Sequence, residues 1–142
     1  MQKKHPFVTF QVQSFTADVV LERLENGLLD LGLLMEPVDI RKYEILRMPL
    51  KEKWGVLVRK DSELCSKAVL VPQDLAQIPL ILPERLSVQN NLQRWFGDTY
   101  DGIHSAATYN LMLNAVFMVK NGLGAAVGYK FDQFFPDVQF IP

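Results

Sequence analysis

The chain has 142 residues, of which 49% are hydrophobic and 22% charged, and its formal net charge is −1. This composition excludes disorder over most of the length and supplies a core for one domain or two small lobes. Residues 1–50 carry six basic and seven acidic side chains and residues 51–142 carry nine of each, so neither half is a basic tail for non-specific nucleic-acid binding.

Cys65 is the single cysteine, which excludes an internal disulfide and a cysteine metal cage, and His5 and His104 do not make a zinc site by themselves. No metal and no cofactor is expected. No apolar segment follows the basic residues Met1-Gln2-Lys3-Lys4-His5-Pro6. The longest uncharged stretch, 102–119, contains His104, Ser105, Thr108, Asn110 and Asn114, and does not read as a membrane span. A soluble, cytoplasmic protein without membrane contact is expected.

Residues 8–13 alternate apolar Val8, Phe10 and Val12 with Thr9, Gln11 and Gln13, the period of a half-buried strand. Ser14-Phe15-Thr16 offers hydroxyl caps for a helix over 17–25, which Asn26-Gly27 stops. The apolar run 28–35 reads as a buried strand, completing a right-handed βαβ unit. After a loop containing Pro37, residues 43–48 and 54–59 read as strands. Pro72 opens a short helix to Gln77, and 80–82 is a short strand closed by Pro83.

Ser87 is the expected cap of a helix in which Val88, Leu92, Trp95 and Phe96 share a face, and Gly97 ends it. A strand over 103–108 follows. The helix over 110–120 is apolar on nearly every side, which predicts burial all round, and Asn121-Gly122 stops it. Residues 123–129 and 138–141 complete the strands. The alternation predicts an α/β fold with mainly parallel sheets, and 40–53 reads as a crossing between two lobes.

Three passages in this order resemble the effector-binding domain of LysR-type transcriptional regulators. The first is His5-Pro6-Phe7-Val8-Thr9-Phe10 with Gly27-Leu28-Leu29-Asp30-Leu31-Gly32-Leu33. The second is Met48-Pro49-Leu50, then Trp54-Gly55-Val56-Leu57-Val58-Arg59-Lys60-Asp61, Asp74-Leu75-Ala76 and Pro79-Leu80-Ile81-Leu82. The third is Val119-Lys120-Asn121-Gly122-Leu123-Gly124-Ala125-Ala126-Val127. Together they cover nearly the whole chain. Ser62-Glu63-Leu64 stands where the family has His-Pro-Leu, and Gly128-Tyr129 replaces its usual proline.

The resemblance implies a two-lobed type 2 periplasmic-binding-protein-like fold with its first lobe incomplete. Lobe I is expected at 1–50, lobe II at 51–138, and the start of a return crossing at 139–142. The family's helix-turn-helix, linker helix, and first strand and helix are not found in these 142 residues, so the chain is expected to be a fragment that meets DNA only through a domain it lacks. An effector would occupy the cleft between lobes, consistent with ligands binding beyond the carboxyl ends of strands.

The candidate effector-binding residues lie where strands end. Ser14, Phe15 and Thr16 open a helix whose amides suit an anion, although plain capping explains them without a ligand. Pro83, Glu84 and Arg85 follow the strand 80–82, and Arg85 suits a bidentate carboxylate or sits on an ordinary exposed loop. Tyr109 and Asn110 end the strand 103–108, where Asn110 either caps the next helix or meets the effector. Gly128 and Tyr129 end the last clear strand, and Tyr129 is a candidate to stack on a ligand. Cys65 lacks a second thiol to resolve an oxidised state, His104 lacks a nucleophile, and Gly122-x-Gly124 lacks the third glycine of a dinucleotide loop.

The leading reading is therefore an effector-sensing, dimerising domain for a small anionic metabolite. A solute-binding protein of the same fold is the alternative, and an enzyme is disfavoured because paired acids, a metal cluster and a nucleophile–base pair are missing from the sequence. A homodimer is expected through an exposed edge at 8–13.

Overall fold

The structure, a computed structural model, describes residues 3–130 and 135–142; Met1, Gln2 and residues 131–134, the last within the expected second lobe, lie outside the described residues. Two compact units are present, Met1–Val38 and Asp39–Pro142.

The first unit is built on helix α1, Ala17–Glu25. Thr16 takes the N-cap position with extended backbone but makes no side-chain cap bond. Asn26 Nδ2 donates to the Glu22 carbonyl at 2.9 Å, and Gly27 follows at φ 66, a left-handed turn that glycine adopts without steric cost. Val20 is the buried residue of the helix. Gly32 lies so close to it that a Cβ there would stand 2.7 Å from Val20 Cγ1, so the chain packs on α1 where glycine leaves room.

The strands expected at 8–13 and 28–35 do not form, and neither does the one at 43–48 in the second unit. The βαβ unit expected around α1 is thus absent among the described residues. Alternation makes a segment able to bury one face, but a strand exists only when its N–H and C=O groups meet a partner ladder. No described segment supplies one, and Phe7, Val12, Leu31 and Leu33 remain exposed.

The second unit holds one five-stranded sheet. Its strands are β1 (Trp54–Arg59), β2 (Leu80–Pro83), β3 (Ser105–Tyr109), β4 (Ala125–Tyr129) and β5 (Val138–Ile141), in the order β3-β2-β4-β1-β5. The expected parallel arrangement holds for β2 with β3 and β4. β1 runs antiparallel to both β4 and β5, so the sheet is mixed. All four residues of β2 are buried, as a strand covered on both faces requires. Pro83 is tolerated because the β2–β4 pairing involves only Leu80 and Ile81, leaving no ladder donor to supply beyond them.

Helices cover the two faces. On one, the short α2 (Pro72–Leu75) and α3 (Leu86–Phe96) bring Leu75, Val88, Leu92 and Phe96 onto Val56, Val58, Leu80, Leu82 and Val127. Trp95, expected in this stripe, is about half exposed. The α3 helix starts two residues earlier than its hydroxyl suggested. Arg85 is the N-cap residue, and Ser87 lies inside the first turn with its Oγ buried and without a hydrogen-bond partner among the described residues.

On the other face, α4 (Met112–Lys120) packs Ala115, Val116 and Val119 on Leu57, Ile81 and Ala126. This helix is not buried all round, because one sheet face covers only one stripe of it. Leu113 and Phe117, a turn apart on the outer side, are 43% and 51% exposed.

Candidate functional site

Three parallel strands of the second unit end at the same edge of the sheet. The register sets Pro83 of β2 beside Tyr109 of β3 and carries β2 alongside β4 through Leu80–Ala125 and Ile81–Ala126. Continuing that register, the turn Glu84-Arg85 leaves β2 next to the end of β4 at Gly128-Tyr129. The Glu84 N–H donates to the Tyr109 carbonyl at 2.9 Å, and Gln89 Nε2 of α3 donates to the Pro83 carbonyl at 3.0 Å. These bonds fix the turn from which α3 starts.

Tyr109 belongs to the frame. Its ring is buried and its hydroxyl donates to the Val127 carbonyl at 2.9 Å, reaching past the end of β2 to β4. Burial raises the Tyr109 pKa above the usual tyrosine range, with a smaller contribution from Tyr129. Gly128 faces that hydroxyl, where a Cβ would lie 2.6 Å from Tyr109 Oη and 3.0 Å from Met112 Sδ. Pro83 and Gly128 are likewise buried. Glu84 and Asn110 are exposed, and Arg85 and Tyr129 are half-buried. Asn110 Oδ1 accepts from the Leu111 N–H at 2.8 Å and from Asn114 Nδ2 at 2.9 Å, so its carbonyl braces the first turn of α4.

Tyr129 is the aromatic group of this edge, and Trp54 stands beside it. Because β1 is antiparallel to β4, its first residue pairs with the last residue of β4, and the two rings lie 4.3 Å apart at 43°. Burial raises the Tyr129 pKa; the positive charge of Arg85 lowers it in part, and Glu52 adds to the rise. The sequence reading missed Trp54 and Glu52, because periodicity identifies a strand but not its direction.

Seven of the candidate residues thus share one edge of the second unit: Pro83, Glu84, Arg85, Tyr109, Asn110, Gly128 and Tyr129. Ser14, Phe15 and Thr16 belong to the first unit, where the Arg23 guanidinium lies 4.2 Å from the centre of the Phe15 ring.

At the opposite edge, a shallow cavity of about 340 Å³ is lined by Arg59, Lys60, Asp61, Lys120, Pro136 and Asp137. Its Arg59–Asp61 and Lys120–Asp137 ion pairs already satisfy much of its charge, which makes it a weaker anion site than its three cations suggest. Cys65 sits in a 3-10 turn, Glu63–Ser66, and its thiol lies 3.3 Å from the Arg59 carbonyl as a donor. Among the described residues no group of three or more metal-binding side chains occurs, and no helix is long and apolar enough to cross a membrane.

Comparison with known proteins places this geometry in a wider set. The model of the LysR substrate binding domain matches residues 1–131. YvbU of Bacillus subtilis (strain 168), described as an uncharacterized HTH-type transcriptional regulator, is 25% identical over 126 residues, covering 89% of this chain and 42% of YvbU. The regulatory domain of CcmR from Synechocystis PCC6803, solved in complex with 2-PG, superposes with a TM-score of 0.77 at 19% identity, covering 99% of this chain and 69% of that one. HinK, a LysR family transcriptional regulator from Pseudomonas aeruginosa, gives 0.73 at 17% identity, covering 99% of this chain and 50% of its own. The chain spans less than half the length of YvbU. The solved structures share the type 2 periplasmic-binding-protein-like fold.

Proposed function

This chain belongs to the LysR substrate binding domain family, and from that premise we propose that it is the effector-sensing part of a LysR-type transcriptional regulator. The observation that carries the reading is the edge where β2, β3 and β4 end together: ligands of open α/β sheets bind beyond the carboxyl ends of parallel strands. Arg85 supplies a cation there and Tyr129 with Trp54 an apolar surface. Tyr109 and Gly128 hold the frame. The effector is a small anion.

The output is a population shift. An effector that binds one conformation better than another moves the equilibrium by its difference in affinity, and DNA-reading domains outside these 142 residues respond. The chain performs no catalysis, works in the cytoplasm and self-associates as a homodimer. Sedimentation over a concentration series tests the last point: a monomer at every concentration refutes it.

Thermal melting against a panel of small carboxylates, aromatic acids and amino acids tests the sensing. A ligand at a hundred times its dissociation constant adds ~2.7 kcal/mol and raises the midpoint by several degrees. Turnover of a bound ligand, or no shift with any acid from a chain that melts cooperatively, refutes the reading.

A further inference from the structure

Trp54 and Tyr129 stack at the rim although neither is needed to fill the core. The inner residues of their faces, Val56 and Val127, already pack under α3. Trp54 remains 38% exposed, and Tyr129 is half-buried. A large aromatic pair at a sheet edge, half open to solvent, offers a flat apolar surface on which a planar ring gains by offset or edge-to-face contact. Arg85 leaves the neighbouring strand one residue past the position opposite Tyr129 and takes the N-cap position of α3. Its guanidinium has the fork geometry for a carboxylate.

We infer that the effector is an aromatic carboxylate, its ring held on Trp54 and Tyr129 and its carboxylate held by Arg85, with Trp54 as a specificity-determining residue. The inference rests on the effector-sensing reading above and narrows it to one ligand class. An aliphatic acid satisfies Arg85 but leaves the ring pair wet, so the pair discriminates by the stacking contact.

The probe is built into the chain. Of its two tryptophans, Trp95 lies on α3, so the W95F chain reports on Trp54 alone. Benzoate and phenylacetate are titrated against acetate and hexanoate, following Trp54 fluorescence and, independently, the melting midpoint. The expected result is saturable change with the aromatic monoacids, about tenfold weaker binding in W54A, and retention within about threefold in W54F, which keeps a ring and guards against a folding artefact. Aliphatic acids binding as well as aromatic ones, or W54A binding benzoate normally, overturn the aromatic assignment and leave effector sensing intact. If neither panel binds a cooperatively melting chain, both fail together.

Discussion

Replacing Gly128 with alanine tests the frame of the site. The new Cβ would stand 2.6 Å from Tyr109 Oη, inside any permitted contact, and 2.9 Å from Met112 Cε. Met112 ends in a flexible thioether that can swing aside. The tyrosine ring cannot move as easily, because it is buried and its hydroxyl is tied to the Val127 carbonyl at 2.9 Å. Displacing it loses that bond in a buried setting, about 1–3 kcal/mol, and adds overpacking strain of about 1–3 kcal/mol.

The sum sets the expected loss for G128A at roughly 2–6 kcal/mol. Urea unfolding of the full chain, followed by far-ultraviolet circular dichroism, measures it. The same change in a Y109F background meets no hydroxyl and costs roughly 1–2 kcal/mol less, a coupling that a double-mutant cycle isolates. Equal costs in the two backgrounds refute the claim that the hydroxyl occupies the space glycine leaves.

Tyr109 also makes stability depend on alkaline pH. Its folded pKa is raised by burial, so the stabilisation is complete below the unfolded value near 10 and is lost as pH rises above it. Y109F therefore flattens the alkaline limb of a melting-against-pH profile, and an unchanged limb contradicts this. At the acid end, the Lys67 ammonium bonded to Asp74 lowers the carboxyl pKa, so its stabilisation is present above the usual aspartate value and fades as pH falls through the depressed one; D74N shows a shallower acid limb in the same profile. Leu75 is fully buried beneath α3, and L75A is expected to cost about 2–5 kcal/mol in urea unfolding. R85A is expected to weaken acid binding at least tenfold by calorimetry, about 1.4 kcal/mol; a normal affinity refutes its role.

The elements of the second unit were legible along the chain because each carries its own signal. Val88, Leu92 and Phe96 recur at helical spacing and do share the buried face of α3, and Gly97 does end it. The continuous apolar run at 80–82 is the strand with both faces covered. Serine at 87 misled, because a hydroxyl near a helix start signals a cap only if the backbone turns at that residue, and here it turns at Arg85. The apolarity of α4 overstated its burial, since composition reports what a helix is able to bury and not how many neighbours it meets.

By itself, the order of periodic segments and turn residues determined the α/β class, most strands and helices of the second unit, and the strand ends where a ligand would sit. Those are local properties, written in spacing and in glycine and proline positions. Tertiary structure alone decided the direction of β1 and β5, and with it the meeting of Trp54 with Tyr129, residues 75 positions apart. It also decided that 8–13 and 28–35 stay unpaired, because a strand's hydrogen bonds belong to its partner as much as to itself.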